Sequence, residues 1–136
     1  MLIYHFGSKE RLVTELMSYL ADFYAEALDR AFGEGRAATR QECVARVMSF
    51  TRDPAVAPFL ALWWEIVAGA TRGKPGYREA GRSMMWLLFN WMKEQLPVDD
   101  PDPEGGARYL LTLIEGALML EAVDCGEIAR SGLGNA

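Results

Sequence analysis

Two stretches dominate what this chain can become. Tyr77 to Leu96 and Pro103 to Asp124 repeat apolar residues at spacings of three and four, and each is apolar on more than one helical side. The first carries Met84-Met85-Trp86-Leu87-Leu88-Phe89; the second carries Leu110, Leu111, Leu113, Ile114, Ala117, Leu118, Met119, Leu120 and Val123. A surface helix buries one stripe against its own core, so a second apolar side needs a second surface to meet. The expectation is a helical protein whose last two long helices pair with those of a second copy, forming a four-helix bundle across a dimer. Trp86, Trp91, Leu110, Ile114, Ala117 and Leu118 are the expected interface residues, with Gly116 and Ala117 small enough for a facing helix to approach closely. The competing account buries both sides inside one subunit.

Nothing reads as strand: there is no Asn-Gly hairpin and no alternating β-branched run, so the fold class is expected to be all-α. Three more helices are expected ahead of the two long ones. From Ser8 as N-cap, Leu12, Leu16, Leu20, Phe23, Ala27 and Leu28 form one stripe, which Gly33 and Gly35 end. Thr39-Arg40-Gln41-Glu42 has the pattern of a capping box and opens a short helix with Val44, Val47 and Met48 on its apolar face. Asp53-Pro54 stops that helix and starts the next, which carries Phe59, Trp63 and Trp64; Pro58 points to a 3₁₀-like start or a kink. Gly73-Lys74-Pro75-Gly76 is a turn, Pro97 to Glu104 is a solvated loop, and Ser131 to Ala136 is expected to fray.

At 136 residues the chain has room for one ordinary domain, and one core is expected; with 51% hydrophobic residues it is not disordered. Fourteen basic against nineteen acidic residues leave a net charge of −5, which excludes a basic protein that coats nucleic acid. Cys43 and Cys125 are far apart and His5 is the sole histidine, so neither a disulfide framework nor a metal site can be assembled, and no cofactor is expected. There is no signal peptide at Met1, and the apolar run Ser83 to Met92 falls short of the roughly 18 residues of a membrane span, so a cytoplasmic protein without a membrane partner is expected. Arg36, Arg40 and Arg46 read as scattered, solvated cations.

The most specific string is Leu2-Ile3-Tyr4-His5-Phe6-Gly7-Ser8-Lys9-Glu10-Arg11-Leu12-Val13. It resembles the end of the recognition helix and the start of the long linking helix in the tetracycline-repressor (TetR) family of transcriptional regulators. The resemblance covers these dozen residues closely and the remainder only in architecture. It implies that Tyr4, His5 and Lys9 contact the DNA backbone and that Phe6 packs inside the DNA-binding domain. The physics of the string agrees: Gly7 can end one helix, Ser8 can cap the next, and Lys9 stands at a helix N-terminus that favours phosphate. In that family roughly three helices precede this point, whereas only Met1, Leu2 and Ile3 do so here. Residues 1–7 are therefore expected to be a remnant of the helix-turn-helix domain and residues 8–136 the effector-binding and dimerisation domain. An internal start, a piece of a longer regulator and a natural headless form all stay open. As it stands, the chain is expected not to bind an operator, which would need the missing N-terminal helices.

The resemblance implies a small-molecule effector. The aromatic and methionine residues suggest a small, mostly apolar one, with Met48, Phe59, Trp63, Met85 and Phe89 as lining and Asn90 and Glu115 as orienting polar groups. Glu115 has an alternative role, pairing with Arg82 or Arg108 across the dimer. No cluster of Arg or Lys suggests an anionic ligand. No catalytic residue is expected, because no imidazole stands beside a Ser or Cys and no carboxylate pair has a spacing that suggests acid–base work. The expected function is that of a ligand-responsive transcriptional regulator, with a headless dimerisation or protein-interaction module as the alternative.

Overall fold

The computed structural model describes residues 9–33 and 35–134, with side chains from Arg11 onward. These residues form six α-helices and no strand: α1 (Lys9–Phe32), α2 (Arg40–Thr51), α3 (Ala57–Thr71), α4 (Tyr77–Gln95), α5 (Pro103–Ala122) and α6 (Gly126–Leu133). A single 3₁₀ turn, Pro54–Val56, runs into α3. The all-α expectation holds, and short polar side chains cap α2, α5 and the 3₁₀ turn that leads into α3.

At α2, Glu42 N donates to Thr39 Oγ1 at 3.0 Å, but the return bond is displaced by one residue: Ala38 N donates to Glu42 Oε2 at 2.7 Å. Asp53 accepts from Ala55 N at 2.9 Å and Pro54 follows it, so the proline that stops one helix also opens the 3₁₀ turn into the next. Asp102 caps α5 in the same way, accepting from Gly105 N at 2.9 Å ahead of Pro103.

Two helices end by the same device. After α3, Gly73 takes φ +71°, Gly73 N donates to Ala70 O and Lys74 N donates to Gly69 O. After α5, Asp124 takes the same left-handed conformation at φ 62°, Asp124 N donates to Glu121 O and Cys125 N donates to Leu120 O at 2.8 Å. The sequence reading ends this helix at Asp124, close to the observed stop, but with an aspartate where glycine is usual nothing announced the further helix α6 behind it. Of the tail expected to fray, Ser131 to Leu133 are helical, as the end of α6, while Asn135 and Ala136 lie outside the described residues.

Instead of the expected single core, the described residues pack as two compact units, one from residues 9–30 and 51–87, the other from 31–50 and 88–134. The boundaries fall inside α1, α2 and α4. In the first unit Met17, Ile66 and Ala80 form the core, with Val13, Leu20, Leu62 and Trp63 packed against it. In the second, Cys43, Met48, Leu96 and Leu110 are fully buried, and Phe32 meets Trp91 edge-on with ring centroids 4.8 Å apart.

One stretch, Pro54–Thr71, is long and apolar enough to cross a membrane by length and composition, with mean hydropathy 1.3. This differs from the expectation that no stretch reaches that length. A single such stretch is also what the core helix of a soluble protein presents, and it does not mark a membrane protein.

Candidate functional site

Tyr4 and His5, expected at the DNA backbone, lie outside the described residues, as do Phe6, Gly7 and Ser8. Lys9 is the first residue of α1.

The expected effector lining is divided between the units. Phe59, Trp63 and Met85 belong to the first, where all three are half-buried. Phe59 stacks on Phe23 with centroids 5.2 Å apart and planes at 15°, and it meets Tyr24 at 6.2 Å. Trp63 packs on the Met17–Ile66–Ala80 core. Met48, Phe89, Asn90 and Glu115 belong to the second unit. There Met48 and Phe89 are buried, with the Lys93 ammonium 5.0 Å and the Arg108 guanidinium 5.7 Å from the Phe89 ring centroid. Asn90 is exposed and Glu115 half-buried, which corrects the reading of Asn90 as a polar group enclosed among apolar ones. The apolar run around Asn90 belongs to the other sides of α4.

The residues expected at a dimer interface differ in exposure within this chain. Trp91, Leu110, Ile114, Ala117 and Leu118 are all buried in the chain, and of the six only Trp86 is exposed, 49% so and beside Arg82. That side of α5 is already covered by the chain. The side left open carries Tyr109, Thr112, Gly116, Met119 and Val123, at alternating spacings of three and four. A methyl group on Gly116 would meet nothing within 4 Å. Tyr109, Met119 and Val123 are the large apolar or aromatic residues on this open side.

A cleft of about 510 Å³ opens in the first unit. Arg11 and Thr14 of α1 form one wall, the turn Gly73-Lys74-Pro75-Gly76 another, and Arg78 and Glu79 in the first turn of α4 the third. Lys74 lies over the Tyr77 ring at 5.5 Å, and Tyr77 in turn covers Gly69, where any Cβ would strike the ring. Arg11 pairs with Glu15 along α1 at 3.6 Å. The expectation of no Arg or Lys cluster is therefore corrected. Arg11 stands more than sixty residues from Lys74 in sequence, and the Gly-Lys-Pro-Gly string read as punctuation alone; the basic residues on either side of it, Arg72 and Arg78, were the available signal.

Arg36, Arg40 and Arg46 are not simple solvated cations. Arg36 donates to Leu96 O at 3.5 Å. Arg40 donates from Nε and Nη2 to the two carboxylate oxygens of Asp100, at 2.7 and 2.6 Å, and Arg46 donates to Glu42 Oε1 at 2.5 Å. The hydrogen bonds from Arg40 hold the Asp100 carboxyl below its ordinary range, against the opposing effect of burial. Glu42 is also held low, first by the Ala38 amide and then by Arg46.

Cys43 lies against Met92 with its Sγ 3.4 Å from Sδ, and burial pushes its thiol up to about 11, so it carries no thiolate chemistry near neutrality. Among the described residues no group of three or more His, Cys, Asp or Glu could hold a metal ion. Compared with known proteins, the chain matched no family model, no curated protein and no solved structure.

Proposed function

We propose that the chain is the effector-binding and dimerisation part of a ligand-responsive transcriptional regulator of the TetR type. One juxtaposition supports it: the string Tyr4-His5-Phe6-Gly7-Ser8-Lys9-Glu10 leads directly into a 24-residue helix beginning at Lys9, as the resemblance requires of a linking helix. Such a regulator works as a homodimer in the cytoplasm. A mostly apolar effector, held near the half-buried Phe59, Trp63 and Met85 of the first unit, would shift α1, whose N-terminal end adjoins the DNA-reading head. Operator DNA is then a partner only of a chain carrying the helices that read it. The acidic balance of the chain favours a second reading, a dimerisation module that binds no DNA itself.

The test is the reading frame upstream of Met1 and the protein it encodes. A helix-turn-helix coding sequence in frame, with specific binding to a promoter fragment that weakens steeply with salt, is the expected result. In that protein Lys9→Ala should weaken binding to all sequences alike, since a phosphate contact carries no base information. Titration with apolar compounds should quench tryptophan fluorescence in the wild type and less in Trp63→Phe. An upstream frame without such a segment would overturn the regulator reading and leave the module.

A further inference from the structure

We propose that the cleft between the start of α1 and the α3–α4 turn is a binding site for a small molecule carrying a phosphate or diphosphate group. This stands independently of the regulator reading. Three cations, Arg11, Lys74 and Arg78, line the cleft against one carboxylate, Glu79, in a chain whose overall charge is −5. Elsewhere four arginines are paired with carboxylates: Arg30 with Glu26, Arg40 with Asp100, Arg46 with Glu42 and Arg108 with Glu104. Lys74 and Arg78 enter no ion pair among the described residues, and Glu79, which shares the lining, is not within ion-pair distance of either. Arg11 is paired with Glu15, so the uncompensated charge is that of Lys74 and Arg78, and an anion is what it attracts.

The rest of the lining suits an oxyanion. Thr14 brings a hydroxyl, and Gly73 and Gly76 leave backbone bare where side chains would stand. The first turn of α4 adds the positive end of a 19-residue helix to the same wall. Arg11 and Arg78 can each offer two parallel donors to phosphate oxygens, while Lys74, steadied over Tyr77, acts as a point charge. A volume of about 510 Å³ exceeds a lone phosphate and falls within the usual range for small-molecule sites. A nucleic-acid duplex fits less well, since useful affinity takes roughly six to ten neutralised phosphates and the cleft supplies three cations.

The probe is inorganic pyrophosphate, titrated calorimetrically at low salt into the intact chain. Wild type should bind it, and the double variant Lys74→Ala/Arg78→Ala should bind at least about tenfold more weakly, a loss of about 1.4 kcal/mol. Removing equal charge elsewhere, with Lys93→Ala/Arg130→Ala, should leave affinity within about twofold, and Lys74→Arg/Arg78→Lys should retain it. Circular dichroism checks that each variant is folded. No binding to wild type, or equal weakening by the two alanine pairs, overturns the proposal. A random-sequence duplex provides the second arm: binding of the duplex that depends on Lys74 and Arg78, without binding of pyrophosphate, would assign the cleft to a nucleic-acid backbone and overturn it as well.

Discussion

Arg40 grips Asp100 through two parallel hydrogen bonds across sixty residues of sequence, and donates a third, at 3.1 Å, to the carbonyl oxygen of Asp102. One side chain thereby ties the first turn of α2 to the loop that caps α5. The Asp100 side chain is only 2% exposed, so removing its partner leaves a charge with little water to receive it. Arg40→Gln should lower stability by about 2–3 kcal/mol in urea unfolding, and Arg40→Lys should recover only part of that, since an ammonium cannot reproduce the fork. Equal stability of the lysine variant and wild type would show that charge alone suffices.

The same pair sets an acid limit. A carboxyl held below its ordinary range in the folded chain favours folding above the unfolded value, and the benefit fades as pH falls through the folded value. For Asp100, held low by Arg40, and for Glu42, held low by Ala38 and Arg46, stability should be level above about pH 5 and decline below about pH 4. Urea midpoints between pH 7 and pH 3 check this. Asp100→Asn should be less stable at pH 7 and show a shallower decline; parallel curves would remove Asp100 from the account.

The cysteines should separate cleanly by reactivity. Cys43 is buried beside Met92 with its thiol pushed up to about 11, whereas Cys125 is half-buried at the start of α6. Iodoacetamide at pH 8 should label one site per native chain, Cys125, and both in guanidinium. Rapid native labelling of Cys43 would mean that the second unit opens far more readily than its packing suggests.

If the chain dimerises through α5, the open stripe should carry the contact. Met119 and Tyr109 are each 52% exposed and Val123 is 64% exposed, while Leu118 is buried. Met119→Arg should therefore yield a folded monomer by light scattering, and Leu118→Arg should unfold the chain instead. A dimer unaffected by Met119→Arg would move the interface to another face.

Helix type and most helix starts were legible because their causes are local: Thr39, Asp53 and Asp102 each bond to an amide two or three residues ahead. The end of α5 was legible to within two residues, but α6 beyond it was not, because the left-handed Asp124 carries no glycine to mark a turn between two helices. Side-chain roles were the least legible. Whether Leu118 or Met119 faces outward differs by one step around a helix apolar on both sides, and periodicity cannot choose between them. Arg11 and Lys74 become neighbours around a cleft only through tertiary packing, which no local pattern encodes.

The two compact units change over inside α1, α2 and α4, never within a loop. Neither unit is a continuous piece of gene, so neither could be lost, duplicated or grafted into another protein by a single recombination event. Whatever selection acts on the cleft of the first unit must carry the Arg40–Asp100 pair of the second along with it.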